Sequence, residues 1–464
     1  MTRGQRWWLV AIVVVGAVLR FGWAAYATEP PEQLRDPVLY TMLGENLADG
    51  NGYSYTTGEG QVPAGVYPSA YYPPGYPLFL GGLFWAGDHL LPFDVGHLGM
   101  ATAANALMST LTLPLVFALG RRLNGVTAGL VAAGAMALLP NTIFHTGVVL
   151  TESMFLLVLV LMLLLTLPTP AIARAPGWRR MVVVGALFAV SALIRPVSLV
   201  LLPGFLFLWW PSGFKVALKR TAVVTAAAAA VILPWTIRNA ITMNSPVAIS
   251  TNLGDNLCIG YNDDAQGGFA MMPKYCDRHN DVPRPRFEII RQSENIDHAT
   301  TWAKEHPSKL PSLVFWRAYY TFRDDHDGVA AVQDYGAVPW MSKRTEGLFA
   351  ALGDGGYFAL SGFAAIGIVA ALRGPDRRQR FLILTMALSI VPPLLTFGDP
   401  RFKAPLYPLL ALYAALALVA AWRALPTPEP SPEPEDEASL TPTEDVEATD
   451  EDDVPAEAPA VAVT

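Results

Sequence analysis

About ten apolar segments, most of them near twenty residues long, constrain this chain more than any other feature of its sequence. A helix of about 20 apolar residues crosses the hydrocarbon core of a bilayer, so the segments predict an all-α polytopic membrane protein with about ten transmembrane helices. The predicted spans lie near 7–26, 95–119, 126–148, 151–168, 180–194, 197–211, 220–240, 354–373, 380–397 and 404–422. No small-residue cleavage site follows the first segment, which is therefore predicted to be a retained helix.

One apolar run, 180–212, is too long for a single span. Pro196 interrupts it, because proline breaks a helix interior. We therefore predict a hairpin with Arg195 at the bend.

Basic residues cluster in alternate loops and predict the orientation. Five basic stretches, at 2–6, 120–123, 173–180, 214–220 and 373–380, fall on one side if the ten spans are right. Lys and Arg favour the cytoplasmic side, so both termini are predicted to be cytoplasmic. The opposite face then carries a first outer loop, 27–94, and a second outer region, 241–350.

Composition separates a membrane body, 1–425, from a tail, 426–464. Mean hydropathy is +0.34 and charged residues make up 15 % of the chain, as in membrane proteins with sizeable loops. The tail holds 13 of the 39 acidic residues and no Lys or Arg, so the net charge of −7 hides a basic body. Because it is acidic and Pro-rich, the tail is predicted to be disordered and solubilising.

Local patterns predict structure in both outer parts. Apolar residues recur at helical spacing over 36–50, and a second amphipathic helix begins after Pro-Pro-Gly at 73–75, both suited to lie along the bilayer surface. The second outer region mixes Gly/Asn-rich loops with helical patterns near 285–305 and 308–322. Its Cys258 and Cys276 are predicted to form a disulfide in an oxidising compartment, two unpaired thiols being the alternative.

Four cations sit at the outer ends of predicted spans: Arg195, Arg238, Arg401 and Lys403. A charge at that depth is costly unless it is paired, and it is often functional. If these groups converge, they would bind a phosphate through charge-assisted hydrogen bonds. The alternative is that each reaches lipid headgroups or pairs with a nearby acid, as Arg401 could with Asp399.

Two carboxylates lie at the same face, Asp36 after the first span and Glu152 at a tight outer turn. Each is a candidate catalytic group for a lipid-linked substrate. Each also has a structural alternative. Asp36 before Pro37 is typical of a helix N-cap, and Glu152 after Thr151 suits a first helical turn.

Further residues are candidates for a substrate pocket: Tyr40, Tyr71, Tyr72, Tyr76 and His145. The alternative for the tyrosines is anchoring at the membrane interface.

The acidic run 324–327 could bind a divalent ion, although such a run is more often a solvated loop. No metal ligand is assigned, and a divalent metal stays open as a cofactor. The sequence has no P-loop, dinucleotide fingerprint or nucleophile elbow, so it predicts no nucleotide, nucleic-acid partner or covalent serine intermediate.

Several stretches, in order along 7–423, resemble the C-type (GT-C) glycosyltransferase superfamily, within it the protein O-mannosyltransferase and lipid A aminoarabinose transferase branch. They are RDPVLY with GNGYS, YPPGYPLFL, LGRRL, LIRP, LPWTIRNA and GDPRFKAPLYP. The resemblance implies a GT-C fold and a polyprenyl-phosphate sugar donor. It implies that Asp36 is catalytic, that Glu152 matches the second acidic position, and that the outer arginines contact the donor phosphate. Arg35 and Pro37 flank Asp36, whereas protein-mannosylating relatives often have an adjacent acid there.

These features lead to one functional hypothesis and one alternative. The hypothesis is an inverting glycosyltransferase on the outer face of a bacterial inner membrane, with a glycan, lipid or protein acceptor. The alternative is a transporter or flippase of a lipid-linked sugar. A transporter needs polar groups near the bilayer midplane and often paired repeats, whereas the spans here hold few polar groups apart from Arg20 and show no repeat.

Overall fold

The computed structural model describes residues 1–31, 35–57, 65–92, 95–167, 177–270, 273, 275–276, 286–335 and 339–424. Met1–Arg423 form one compact unit. The tail predicted over 426–464 lies outside the described residues.

Helices dominate the described part of the chain. In order they are α1 (Arg3–Tyr26), α2 (Asp36–Ala48), α3 (Gly75–Leu90), α4 (His97–Asn124), α5 (Val126–Leu138), α6 (Pro140–Phe144), α7 (Glu152–Thr166), α8 (Trp178–Ile194), α9 (Leu202–Trp209), α10 (Phe214–Thr242), α11 (Leu253–Gly260), α12 (Arg286–Glu305), α13 (Leu310–Phe322), α14 (Asp327–Asp334), α15 (Lys343–Arg373), α16 (Arg377–Leu395) and α17 (Tyr407–Ala424). Strands β1 (Ser54–Thr57) and β2 (Gly65–Pro68) form an antiparallel pair with Tyr55 opposite Tyr67. Two 3₁₀ turns, Pro196–Leu201 and Pro400–Leu406, border the site described below.

The helices make this a multi-pass membrane protein. Among the described residues, 5 helices are each long and apolar enough to cross a membrane: α1, α4, α10, α15 and the final helical segment, Pro400–Ala424. The α5 helix and Pro140–Gly147, bent by 60°, would make a sixth as one broken span. All the predicted apolar segments are helical, but α7, α8 and Pro196–Ser212 are short and α16 begins with a basic run. The predicted count of ten therefore exceeds the helices that qualify by length and composition.

Arg20 is a charge inside the first span, and it stabilises the break between α5 and α6. Its side chain is 0 % exposed. The guanidinium donates to the carbonyl oxygens of Met136 and Ala137 at 2.8 and 3.0 Å and to the Thr142 hydroxyl at 3.1 Å. Helix-end carbonyls need such partners where Pro140 interrupts the ladder. Arg20 therefore has a structural role.

The bend predicted at Arg195 is present and carries part of the first outer loop. Helix α8 ends at Ile194, Arg195 is extended with φ −140°, and Pro196 begins a 3₁₀ turn. Gly75, the first residue of α3, packs there so closely that a Cβ would lie 2.9 Å from the Ile194 backbone nitrogen. A side chain at position 75 would push the loop off the bend.

The two amphipathic helices predicted in the first outer loop are confirmed as α2 and α3. Their apolar faces pack into one cluster, in which Leu43, Leu80 and Phe84 are each 0 % exposed. Helices α12 and α13 confirm the patterns predicted near 285–305 and 308–322. Cys258 of α11 forms a disulfide with Cys276, which ties α11 to the segment before α12.

Candidate active site

A cavity of about 1700 Å³ lies where α2, the Arg195 bend and the Pro400–Leu406 turn meet. Its wall has three parts, which we name by their chemistry. The charged end consists of Asp36, Glu152, Arg195 and Arg401, with Arg35 and Asp399 beside them. The apolar limb consists of Val197, Leu199, Val200, Leu201, Pro392, Pro393, Leu395 and Pro405. The polar limb consists of Asn252, Asp255, Asn256, Glu288, Arg291 and Gln292, and apolar side chains of α11 and α12, among them Leu253, Leu257, Phe287 and Ile289, line the cavity between them.

Asp36 faces the cavity and does not cap its own helix. The N-cap residue of α2 is Arg35, and no side chain makes a capping hydrogen bond there. One carboxylate oxygen, Oδ2, accepts two hydrogen bonds of 3.0 Å from Arg401. The other, Oδ1, accepts one from the Tyr72 hydroxyl. Burial, then the Asp36 charge, raises the pKa of Tyr72, so this hydroxyl stays protonated as a donor.

Arg401 is held by the turn that carries it. Asp399 caps this turn, accepting a 2.9 Å hydrogen bond from the Arg401 backbone N–H. The guanidinium also donates to the Tyr335 hydroxyl at 3.4 Å, and Arg35 lies 5.6 Å above the Tyr335 ring. Asp399 and Tyr335 thus act with Asp36 to fix where Arg401 points.

Glu152 and Arg195 form a second carboxylate–arginine pair in the same cavity. Arg195 Nη2 lies 3.2 Å from Glu152 Oε1, and the Glu152 side chain is 4 % exposed. The Thr151 side chain does not cap α7. Glu152 Oε2 is buried and has no hydrogen-bond partner within the described parts of the chain.

The two carboxylate–arginine pairs limit how the charged end can bind a phosphate. Arg195 and Arg401 each already have a carboxylate partner, so a phosphate that binds to them must compete with Glu152 or Asp36 for their hydrogen bonds. The Asp36–Arg401 pair is the more open one, with side chains 29 % and 19 % exposed. A partly exposed pair gains little from being closed, so Arg401 can exchange Asp36 for an anionic substrate.

Two of the four predicted phosphate-binding cations lie elsewhere. Arg238 donates to the carbonyl oxygens of Ser69 and Tyr53 at 2.6 and 2.8 Å, and it is not on the cavity wall. Lys403 is 1 % exposed, with its ammonium 3.0 Å from Asp325. Arg238 therefore holds the first outer loop, and Lys403 lies in the core.

The predicted substrate-pocket residues also divide into those that line the cavity and those that do not. Tyr40, Tyr71 and Tyr72 line the cavity. Tyr76 is 0 % exposed and its hydroxyl donates to Asn105 at 3.1 Å. His145 is 3 % exposed and lies 3.1 Å from Asp327. Tyr76 and His145 therefore lie behind the residues that line the cavity.

The acidic run 324–327 is not a solvated loop. Asp325 is 0 % exposed, pairs with Lys403 and accepts hydrogen bonds from Asn141 and Tyr407. Burial alone would raise the pKa of Asp327, but the charge and hydrogen bond of His145, with the charge of Lys403 and the hydrogen bond from Asn141, together outweigh it and lower that pKa. Across the described ranges, no group of three or more His, Cys, Asp or Glu is placed to hold a metal ion.

The sequence reasoning missed three residues of this wall: Tyr335, Asp255 and Arg291. Arg291 donates two hydrogen bonds to Asp255, of 2.9 and 2.7 Å, and Tyr71 donates a third of 2.7 Å. Asp255 lies in the first turn of α11, in a Gly/Asn-rich stretch that the sequence patterns predicted to be a loop. Tyr335 follows α14, a helix that the sequence patterns did not predict.

Comparisons with known proteins find the fold and no sequence relative. No protein-family model and no curated protein matches the chain. An Archaeoglobus fulgidus oligosaccharyltransferase tethered with an acceptor peptide aligns with 13 % identity, covering 91 % of this chain and 50 % of that one, at a TM-score of 0.53. AglB from the same organism, in complex with an inhibitory peptide and a dolichol-phosphate, aligns with 13 % identity. The alignment covers 91 % of this chain and 51 % of that one, at a TM-score of 0.52.

A third solved structure belongs to a different enzyme. ArnT from Cupriavidus metallidurans in the apo state aligns with 15 % identity over 90 % of this chain and 61 % of that one, at a TM-score of 0.51. The chain spans about half the length of the oligosaccharyltransferases that it matches. These likenesses confirm that it has the GT-C membrane fold.

Proposed function

We propose that this chain, which has the GT-C fold, is an inverting glycosyltransferase. It would move a sugar from a polyprenyl-phosphate donor to an acceptor hydroxyl on the extracytoplasmic face of a bacterial inner membrane, with both termini in the cytoplasm. The observation that carries the proposal is the convergence of Asp36–Arg401 and Glu152–Arg195 on one cavity that also has an apolar limb. Guanidinium groups beside apolar surface suit a phosphate attached to an isoprenoid.

In the proposed reaction, Asp36 is the general base. It takes the proton of the acceptor hydroxyl as that oxygen attacks the anomeric carbon and the bond to the phosphate oxygen breaks. The lipid phosphate leaves without a protonating acid. Arg401 and Arg195 would stabilise the charge that grows on it.

The resting geometry supports an order to these events. Arg401 places two hydrogen bonds on the Asp36 oxygen Oδ2, which occupy the positions where an acceptor hydroxyl would have to bind. A donor phosphate that takes over the Arg401 hydrogen bonds would release Oδ2 for the acceptor. Donor binding would therefore activate the base.

The apolar limb would hold the first isoprene units of the donor. It is built from the Pro196–Leu201 turn and α16, next to Arg195. The AglB structure holds a dolichol-phosphate, which supports a lipid-phosphate donor for a chain of the same fold. Membrane lipids would cover the rest of the tail.

The alternative, transport of a lipid-linked sugar, has less support. The charged cavity residues lie at helix ends, where Asp36, Glu152 and Arg401 begin or precede their helices. Arg20, a charge within a span, is fully engaged by backbone carbonyls and hydroxyls. No described span thus offers an unpaired charge for a substrate path at mid-membrane depth.

The test is Asp36→Asn, with Asp49→Asn at the exposed C-cap of the same helix as the control. Transfer from a panel of radiolabelled polyprenyl-phosphate sugars is measured in native membranes. Loss of a general base typically lowers the rate by about 10²- to 10⁴-fold, and we expect that loss for Asp36→Asn alone. Unchanged transfer by this variant would overturn the assignment of the base.

A further inference from the structure

The polar limb of the cavity is not used by the donor chemistry proposed above. Helices α11 and α12 supply most of it. Tyr71 and Tyr72 connect it to the charged end, since their hydroxyls donate to Asp255 and Asp36 and their rings lie 5.0 Å apart. A molecule in the polar limb would therefore lie beside the proposed base.

The cavity has room for a second substrate. Its volume is about 1700 Å³, whereas pockets for a single drug-sized ligand are about 300–1,000 Å³. The donor headgroup at the charged end and the first isoprene unit in the apolar limb leave the polar limb open. The side chains that line the polar limb should then indicate which class of acceptor it binds.

The charge of the polar limb disfavours an anionic acceptor. Arg291 is bound by Asp255 through both of its donating nitrogens, at 2.9 and 2.7 Å. Glu288, 4 % exposed, adds a second carboxylate, which accepts hydrogen bonds from Ser69 and the Ala70 backbone. The Arg291–Asp255 pair is deeply buried, with side chains 14 % and 3 % exposed, so a phosphorylated or carboxylated acceptor would have to displace a buried carboxylate to reach this guanidinium.

The hairpin at the cavity disfavours an extended peptide. Strand β1 lines the cavity, and its β2 edge is paired. On the other edge, α2 covers β1, because Asn46 donates to the Ser54 carbonyl at 2.8 Å and the Thr56 N–H points at the Met42 sulfur. In the described hairpin, no edge of β1 is left open for strand addition, the mode by which sheets bind extended peptides.

What remains in the polar limb suits hydroxyl groups. Asn252, Asn256 and Gln292 line it, and each carboxamide both donates and accepts, as a sugar hydroxyl does. We propose that the polar limb is an acceptor subsite for a neutral, polyhydroxylated chain, a glycan whose reacting hydroxyl reaches Asp36. This inference rests on the glycosyltransferase function proposed above and names its acceptor class.

The subsite is held rigid by covalent and polar contacts. The disulfide between Cys258 and Cys276 fixes α11. Asn295 donates both to Asp255 and to the Cys276 carbonyl, at 2.8 and 3.0 Å, and so joins α12 to the stapled segment. A preorganised wall loses less entropy on binding.

The experiment measures binding in the absence of turnover. Full-length Asp36→Asn protein in lipid nanodiscs is tested against neutral oligosaccharides (mannan, arabinan, galactan and glucan fragments), anionic oligosaccharides and Ser/Thr-rich peptides. Asn256→Ala and Gln292→Ala are compared with Thr300→Ala, an exposed residue of α12 that is not on the cavity wall. Each lost hydrogen bond should weaken binding by about 2- to 10-fold.

We expect at least one neutral oligosaccharide to bind, and both cavity variants to weaken it while Thr300→Ala does not. Binding confined to anionic oligosaccharides or to peptides overturns the proposal. So does the absence of any binding, or binding of a neutral oligosaccharide with an affinity that neither cavity variant changes. Polyprenyl-phosphate binding on the same nanodiscs reports separately on the donor site. A retained donor site with no glycan binding would reject the acceptor class and leave the transferase proposal standing.

Discussion

In the turn Pro400–Leu406, two cations only two positions apart face different parts of the protein. Arg401 reaches Asp36 in the cavity, and Lys403 reaches the buried Asp325. A 3₁₀ helix has about three residues per turn, so residues two apart lie on different sides of it. Sequence reasoning placed both cations at the outer face but could not separate them, because the type of turn was not evident from the residues.

The first prediction compares Arg401→Ala with Arg238→Ala. Removing Arg401 should weaken polyprenyl-phosphate binding by about 10- to 100-fold, since hydrogen bonds to charged groups are worth about 1.5–3 kcal/mol. Arg238→Ala should leave that affinity within about twofold and lower thermal stability instead, because its partners are backbone carbonyls. Equal weakening by both variants would return Arg238 to the donor site.

The second prediction concerns the competition for Arg401. In Asp36→Asn the carboxylate that binds Arg401 loses its charge, so the arginine is freer to bind a phosphate. Polyprenyl phosphate should then bind about three- to tenfold more tightly, a change of about 0.7–1.4 kcal/mol, while transfer is lost. Isothermal titration of the purified protein checks this, and weaker binding would contradict the proposed exchange of partners.

At the scale of elements, the sequence predicted what is encoded locally. Helices α2, α3, α12 and α13 were found from their periodicity, and the bend after α8 from Pro196. Helix α14 was missed, because it follows an acidic run whose burial depends on distant partners. Asn141 is 184 residues from Asp325 in the chain, and Lys403 is likewise remote, so no local pattern could show that the run is buried.

The third prediction tests how the Asp325–Lys403 pair holds α14 and the 400–406 turn together. Breaking one side of a buried ion pair costs about 3–5 kcal/mol, whereas replacing both sides with apolar residues is often neutral. Lys403→Met should therefore unfold at a clearly lower temperature, and the double variant Lys403→Met/Asp325→Leu should recover much of the loss. A double variant as unstable as the sum of both single variants would argue against the pair.

The fourth prediction follows from the lowered pKa of Asp327 beside His145. A carboxyl whose folded pKa lies below its ordinary value of about 3.9 contributes stability above that pH and loses it as the pH falls. The melting temperature of the wild type should therefore drop below about pH 4 more steeply than that of Asp327→Asn. Parallel pH profiles for the two proteins would show that the pair does not contribute.

At the scale of the whole molecule, the sequence could not predict which residues come together to form the candidate site. Asp36 and Arg401 are 365 residues apart in the chain, and only the tertiary fold brings the start of α2 beside the Pro400–Leu406 turn. The sequence supplied the residue types and their common face. Which of them share a cavity depends on the direction in which each helix is turned.

The fifth prediction concerns orientation. If basic loops lie in the cytoplasm, alkaline phosphatase fused after Tyr261, in the second outer region, should be active. The same enzyme fused after Gly374, between α15 and α16, should be inactive, and green fluorescent protein there should fluoresce. The reverse pattern would place the cavity on the cytoplasmic side.

Arg20 also has a consequence for how the protein is made. Its partners at positions 136, 137 and 142 lie 116 to 122 residues later in the chain, so the ribosome has not yet produced them when α1 reaches the membrane. A lone arginine at the centre of a span raises the insertion free energy by about 2.5–3.5 kcal/mol, and Arg20 lies between the centre and the end of α1, so it carries part of that cost. We expect α1 to stay at the translocon, or with an insertase, until α5 and α6 arrive, so that an arginine with a structural role in the finished protein also sets the timing of its assembly.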